Sequence, residues 1–308
     1  MQSSGKPELD STPALRRDRI DALAATTLIS FNVLLGLNQA LVKLVNAGLA
    51  PVFQSGLRSA CAFFPVLAFA LLARRRLSLR DGSLGPGILN GLLFSGEFCL
   101  LFLALDYTTV ARVSLFFYTM PFWVALSAHF LIPGERLTWL RSAGLLLAVF
   151  GVALALQGDG GRVAAGASSW IGDLLALCAG MFWAGIVLLT RTTRLSNCSP
   201  EMNLLYQLAV SSVVLLALAP LFGDLVREIT PFLAGVFAFQ VLMIVCVGFL
   251  VWFWVLSVYP VSHMAAFSLL APVFGVLFGW AIFDDPISPL FVIALGLVGA
   301  GIVLVNRR

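Results

Sequence analysis

Residues 110–126 read VARVSLFFYTMPFWVAL, and residues 261–277 read VSHMAAFSLLAPVFGVL. Laid together without a gap, Val110, Phe116, Pro121 and Leu126 meet Val261, Phe267, Pro272 and Leu277. One deleted residue later, Glu135 meets Asp285. Gly151 in LLLAVFGVAL then meets Gly301 in LGLVGAGIVL. Upstream, Pro51 meets Pro200, which puts Arg58 opposite Gln207. Leucine-rich helices resemble one another by chance, but matched prolines and loop acids at a nearly constant offset argue for an internal repeat.

The composition says what medium the repeat lives in. Hydrophobic residues make up 60% of the 308 and charged residues 11%, where a soluble domain carries about 45–50% and about 25%. Such a chain cannot clothe a water-facing surface, which excludes soluble, disordered and fibrous classes. No charge interrupts Asp21 to Lys43, Arg112 to Glu135, Glu201 to Asp224, or Asp285 to Arg307. Each gap is close to the roughly 20 residues of one bilayer crossing. Glu228 to Asp284 is too long for one crossing, and Tyr259-Pro260 divides it. The charge gaps predict spans at 22–43, 51–73, 85–105, 110–132, 140–157, 170–190, 202–222, 233–257, 262–283 and 288–306. The expectation is an all-α polytopic membrane protein with ten transmembrane helices; the runs lack the alternation of a membrane barrel. Residues 1–19 form a polar tail with no cleavage pattern, 20–157 the first repeat, 158–169 a linker, and 170–306 the second repeat.

Loop charges orient the spans. With the N-terminus in the cytoplasm, that side holds Lys6, Arg16, Arg17, Arg19, Arg74, Arg75, Arg76, Arg80, Arg136, Arg141, Arg191, Arg194, Arg307 and Arg308. The outer side holds Lys43, Arg112, Arg162 and Arg227. This bias places both termini in the cytoplasm and the 158–169 linker outside. Five spans per repeat is odd, so the second copy lies inverted relative to the first. The loop charges agree: the basic run at 74–80 has no counterpart in 223–232. Inverted repeats are the build of alternating-access transporters, with the substrate site near midplane.

Two five-span repeats, each closing on helix–proline–helix, a loop acid and a glycine-rich last span, resemble the drug/metabolite transporter superfamily, EamA type. The marks are Pro121, Gly134-Glu135 and Gly151, then Pro272, Asp285 and Gly301. The likeness covers about residues 20–306 and, within the superfamily, is strongest to bacterial exporters of aromatic amino acids. It implies ten helices in a bacterial inner membrane, a central cavity, export of small metabolites, and a peripheral place for the last span of each repeat. Asp285, followed by Pro286, departs from the usual Glu.

Glu97 and Arg58 read as the only charges deep within spans, each roughly 10–12 Å below the outer boundary at about 1.5 Å per residue. An intramembrane ionisable residue is a functional candidate by default. They suit an intramembrane ion pair, structural or functional; in the second case Glu97 holds a substrate ammonium or relays protons. The matched places in the second repeat are Gln207 and Gly248, so the pair does not recur. A midplane group offers hydrogen bonds and rings: Asn32, Tyr118, Trp183, Trp252 with Trp254, and Ser268. Interhelical packing explains each one singly; together with Glu97 they suit an amino acid's polar ends and side chain. Pro121 and Pro272 each free a carbonyl one turn back, which kinks the helix and offers a hinge.

His129 and His263 are expected to be inessential. Cys61, Cys99, Cys178 and Cys246 lie in apolar runs and Cys198 in a loop, with no disulfide or metal spacing. The net charge of +4 lies in loops and calls for no nucleic acid partner. No nucleotide loop or catalytic constellation is present. The expected partners are a small-molecule substrate and the lipid bilayer, with no cofactor and no metal; monomer and homodimer both stay open. The expected function is gradient-driven export of large neutral or aromatic amino acids. Other small metabolites or hydrophobic cations are the alternative, and a channel or membrane-embedded enzyme ranks behind both.

Overall fold

The computed structural model describes residues 22–75, 77–132, 138–157, 169–248 and 270–306. Among them the chain is helical and no strand forms; Leu49 and Val226 make one isolated bridge. The helices are α1 (Ala22–Asn46), α2 (Pro51–Leu72), α3 (Leu84–Tyr107), α4 (Val110–Phe117), α5 (Met120–Leu131) and α6 (Trp139–Gln157), followed by α7 (Ser169–Thr192), α8 (Pro200–Leu218), α9 (Pro231–Phe239), α10 (Leu270–Phe283) and α11 (Pro289–Asn306). Among the described residues, six helical stretches are long and apolar enough to cross a bilayer: Thr26–Asn46, Pro51–Leu72, Leu84–Tyr107, Val110–Leu131, Ser169–Thr192 and Pro200–Phe222. Four shorter apolar helices accompany them: Trp139–Ala155, Pro231–Val247, Leu270–Phe283 and Pro289–Val305.

Local chemistry sets the starts. Pro51, Pro200 and Pro231 stand in first turns, where a missing N–H costs nothing. Thr109, Ser199 and Thr230 cap the helices after them by accepting from Arg112, Met202 and Leu233 amides, each at 3.2 Å.

Three spans depart from the uninterrupted helices that the apolar runs predict. The 110–132 span is two helices, broken at Tyr118 and Thr119. Pro121 cannot donate to Phe117, and its ring crowds that carbonyl, so α4 ends at Phe117. The 202–222 span finishes in a 3₁₀ turn, Ala219–Phe222. The 233–257 span turns into a π-helical segment, Gln240–Val247; its remainder, and 262–269 of the next, lie outside the described residues.

α3 packs on α7 and α8, α2 on α8, α1 on α10, and α6 on α11. α4 lies between α7 and α10. Its contacts with α7 advance together: Arg112 meets Asp173, and Phe117 meets Trp183, so the two run the same way. Its contacts with α10 run in reverse: Ala111 lies at Gly279 and Ser114 at Gly275.

Close helix approach is built on glycine. A Cβ on Gly36 of α1 would lie 2.6 Å from Phe274 Cβ and 2.7 Å from the Gly275 nitrogen. Gly36→Ala is expected to cost about 1–3 kcal/mol by overpacking and to lower the unfolding temperature in detergent. A Cβ on Gly235 of α9 meets nothing within 4 Å, so Gly235→Ala should leave that temperature unchanged or higher. Equal temperatures for the two variants would contradict the α1–α10 contact.

Candidate functional site

α3 lays Phe94, Phe98 and Phe102 along one face at i, i+4 spacing, with ring centroids 4.3 and 5.9 Å apart. Glu97 sits beside this ladder, 4% exposed. From α2, Arg58 reaches in, 5% exposed. Its guanidinium carbon stands 4.7 Å from the centres of both the Phe98 and Phe102 rings, a cation–π arrangement on two faces. Its Nη1 donates to Asn38 Oδ1 of α1 at 3.4 Å. No direct salt bridge joins Arg58 and Glu97, the pairing that the sequence suggested: Arg58 spends its contacts on Asn38 and the two rings. Both rings crowd the guanidinium from α3, and Asn38 draws one of its donors toward α1.

The break between α4 and α5 presents a second group. Phe117 stacks on Trp183 of α7 at 4.9 Å and 17°, and Tyr118 meets the same indole edge-on at 6.0 Å. Gly180 of α7 makes the approach possible, because a Cβ there would lie 2.8 Å from the Phe117 oxygen. Tyr118 is buried and within electrostatic reach of Glu97. Thr119 stitches the break, donating to Phe116 O at 2.6 Å and accepting from Trp123 Nε1 at 3.2 Å. Gly96 of α3 faces Phe182, which brings α7 against the Glu97 turn.

Among the candidates, Arg58, Glu97, Tyr118 and Trp183 thus belong to one neighbourhood. Asn32 is buried but turns its amide back on its own helix, donating to Leu28 O at 2.7 Å. Its neighbour Phe31 lies against Gly248, just past the π segment. Pro121 lies just after the break, and Pro272 is buried in the first turn of α10. Trp252, Trp254, Ser268 and His263 lie outside the described residues.

The structure adds charges that sequence reading misplaced. Arg112 is no loop base. It and Asp173 are buried, with side-chain exposures of 2% and 1%. Arg112 donates from Nε to Asp173 Oδ1 at 2.8 Å and from Nη2 to Oδ2 at 2.5 Å, and a third bond runs from Nη1 to Ala155 O at 3.2 Å. Arg58 and Glu97 are therefore not the only buried charges. Nearby, Lys43 Nζ donates to Thr108 O at 2.6 Å, and Asp285 Oδ2 accepts from the Ala111 amide at 3.1 Å. Burial pushes the Asp285 carboxyl up, against that amide and the Lys43 charge. Beside them Arg227 makes two bonds to Asp106, at 2.8 and 2.9 Å. Gln54, Asn90 and Gln240 are wholly buried with both amide atoms unpartnered; a lone amide in an apolar run was the available signal. No group of three metal-ligating side chains occurs among the described residues.

Comparison with known proteins agrees with transport. The chain is 24% identical over 279 residues to a Bacillus subtilis protein named as an uncharacterized transporter, YoaV, covering 90% of this chain and 94% of that one. It is 27% identical over 286 residues to an Escherichia coli K12 protein named "Probable amino-acid metabolite efflux pump", covering 88% and 91%. A solved crystal structure superposes with a TM-score of 0.64 at 21% identity, covering 92% of this chain and 97% of that one, which supports the fold alone. The model of the EamA-like transporter family matches residues 22–157 and again 170–307. With its run of apolar helices, the chain belongs to the EamA-like transporter family, within the drug/metabolite transporter superfamily, and is a multi-pass membrane transporter.

Proposed function

We propose that this transporter exports large neutral amino acids, aromatic ones above all, by alternating access between two inverted five-helix repeats. The observation that carries the substrate reading is the Phe117–Tyr118–Trp183 cluster close to buried Glu97. The rings receive an apolar side chain and Glu97 receives the ammonium. The name of the Escherichia coli relative points the same way. Arg112 spends three donors on Asp173 and Ala155, which leaves Arg58, among the described residues, as the buried base near the rings. One base suits a single carboxylate and not an acidic side chain besides.

The repeat reading is supported by the double family match and by the antiparallel packing of α4 on α10, the helix that the alignment sets opposite α5. It puts both termini in the cytoplasm of a bacterial inner membrane. In variants with one cysteine each, residue 78 should label only from inside and residue 225 from outside. Labelling of residue 78 in intact cells would overturn the inverted arrangement.

Trp183→Ala removes the ring shared by both aromatic contacts. A large side chain contributes roughly 1.5–3 kcal/mol on burial, so apparent affinity for phenylalanine should fall roughly tenfold to hundredfold. Uptake of labelled phenylalanine into liposomes by purified protein measures it. Unchanged uptake kinetics would refute the aromatic site.

A further inference from the structure

We propose that Arg58, set by Asn38 and the Phe98 and Phe102 rings, is the seat of the substrate's α-carboxylate, so that the site selects a zwitterion over the corresponding amine. This deepens the amino acid reading and rests on it. A guanidinium carries five N–H donors in a planar fork that matches a carboxylate. Among the described residues, one long bond of 3.4 Å, to Asn38, is all that Arg58 spends. The two rings at 4.7 Å fix its position without using a donor. Glu97, one residue before Phe98, is equally buried, and no hydrogen bond engages it among the described residues.

Opposite charges sealed in a membrane protein ordinarily pair, because each alone is costly. Here they influence each other and yet no salt bridge joins them. An α-amino acid carries its ammonium and carboxylate on one carbon, so its two anchors must stand close without touching. A zwitterion between Arg58 and Glu97 satisfies both charges at once, with its side chain toward Tyr118 and Trp183. An amine without a carboxylate leaves Arg58 unmatched, and an acid without an ammonium leaves Glu97 unmatched. Gln240, wholly buried with its amide unpartnered, stands on the π segment that packs against both α1 and α2, the helices carrying Asn38 and Arg58.

The test is uptake of labelled phenylalanine and labelled phenylethylamine, its decarboxylated analogue, by purified protein in liposomes. Wild type should take up phenylalanine at least about tenfold faster, the worth of a charged hydrogen bond. Arg58→Gln should lose that preference, with phenylalanine uptake falling at least about tenfold and phenylethylamine uptake holding or rising. Arg58→Lys keeps the charge without the fork, should shift the preference in the same direction by less, and serves if Arg58→Gln does not fold. Variants that lose both compounds in proportion, or keep the wild-type preference, would overturn the carboxylate assignment while leaving amino acid export standing. Wild type that moves phenylethylamine and no phenylalanine would overturn both.

Discussion

Arg112→Leu is expected to cost about 3–5 kcal/mol, enough to abolish a monodisperse folded protein in detergent. The substitution leaves Asp173 buried and stripped of two bonds, with Thr108 Oγ1 at 3.4 Å as its remaining donor. Removing one member of a buried pair costs about that much, because the surviving group loses its charged partner in a buried place. Asp173→Leu should do the same from the other side, stranding Arg112 with Ala155 O and the 5.7 Å contact to the Phe116 ring. Arg112→Leu combined with Asp173→Leu should recover most of the lost stability, since apolar replacement of both members is often neutral. Thermal unfolding followed by size-exclusion fluorescence measures all three. A single variant as stable as wild type would contradict the burial of the pair. Loss in the double variant equal to the sum of the singles would contradict their coupling.

Glu97→Gln is expected to cut phenylalanine export roughly tenfold to hundredfold, since one charge-assisted bond to the ammonium is worth about 1.5–3 kcal/mol. Here the fold should survive better than in Arg112→Leu, because no salt bridge holds Glu97 and the rings go on holding Arg58. Combining Glu97→Gln with Arg58→Gln separates a structural role from a functional one. A double variant that is well folded and inactive supports the site. Full transport by that variant would remove both residues from the mechanism.

What was legible in the sequence follows from range. Charge gaps and prolines are local, so the helix ends that the structure describes, outside 249–269, fall within a few residues of the charge-gap spans, the break inside 110–132 apart. Pro121 announced a disturbance near 117–121, and the structure makes it a full break that exposes Tyr118 to Trp183. The π segment at Gln240–Val247 had no such mark: the run is apolar, free of glycine and proline, and an α-helix would serve it equally well by composition. Arg112 was misplaced for a different reason. It stands two residues inside α4, near enough to a boundary to pass for a loop base, and its partner is 61 residues away. Nothing in a single sequence links the two, and only the parallel packing of α4 on α7 brings them together. Arg58 and Glu97 were visible because each interrupts a long apolar run. The rings that hold Arg58 were not, since Phe98 and Phe102 read as ordinary core until α2 is laid against α3.

On the proposed mechanism, a buried aromatic site with Glu97 and a largely unspent Arg58 moves large neutral amino acids down a gradient. Counterflow tests it most directly. Purified protein in liposomes loaded with unlabelled phenylalanine, diluted into labelled phenylalanine without ATP, should accumulate label transiently and saturably. Labelled glutamate under the same conditions should accumulate far less, because a second carboxylate finds no partner: Arg112 is occupied by Asp173. Faster counterflow of glutamate than of phenylalanine would contradict the account.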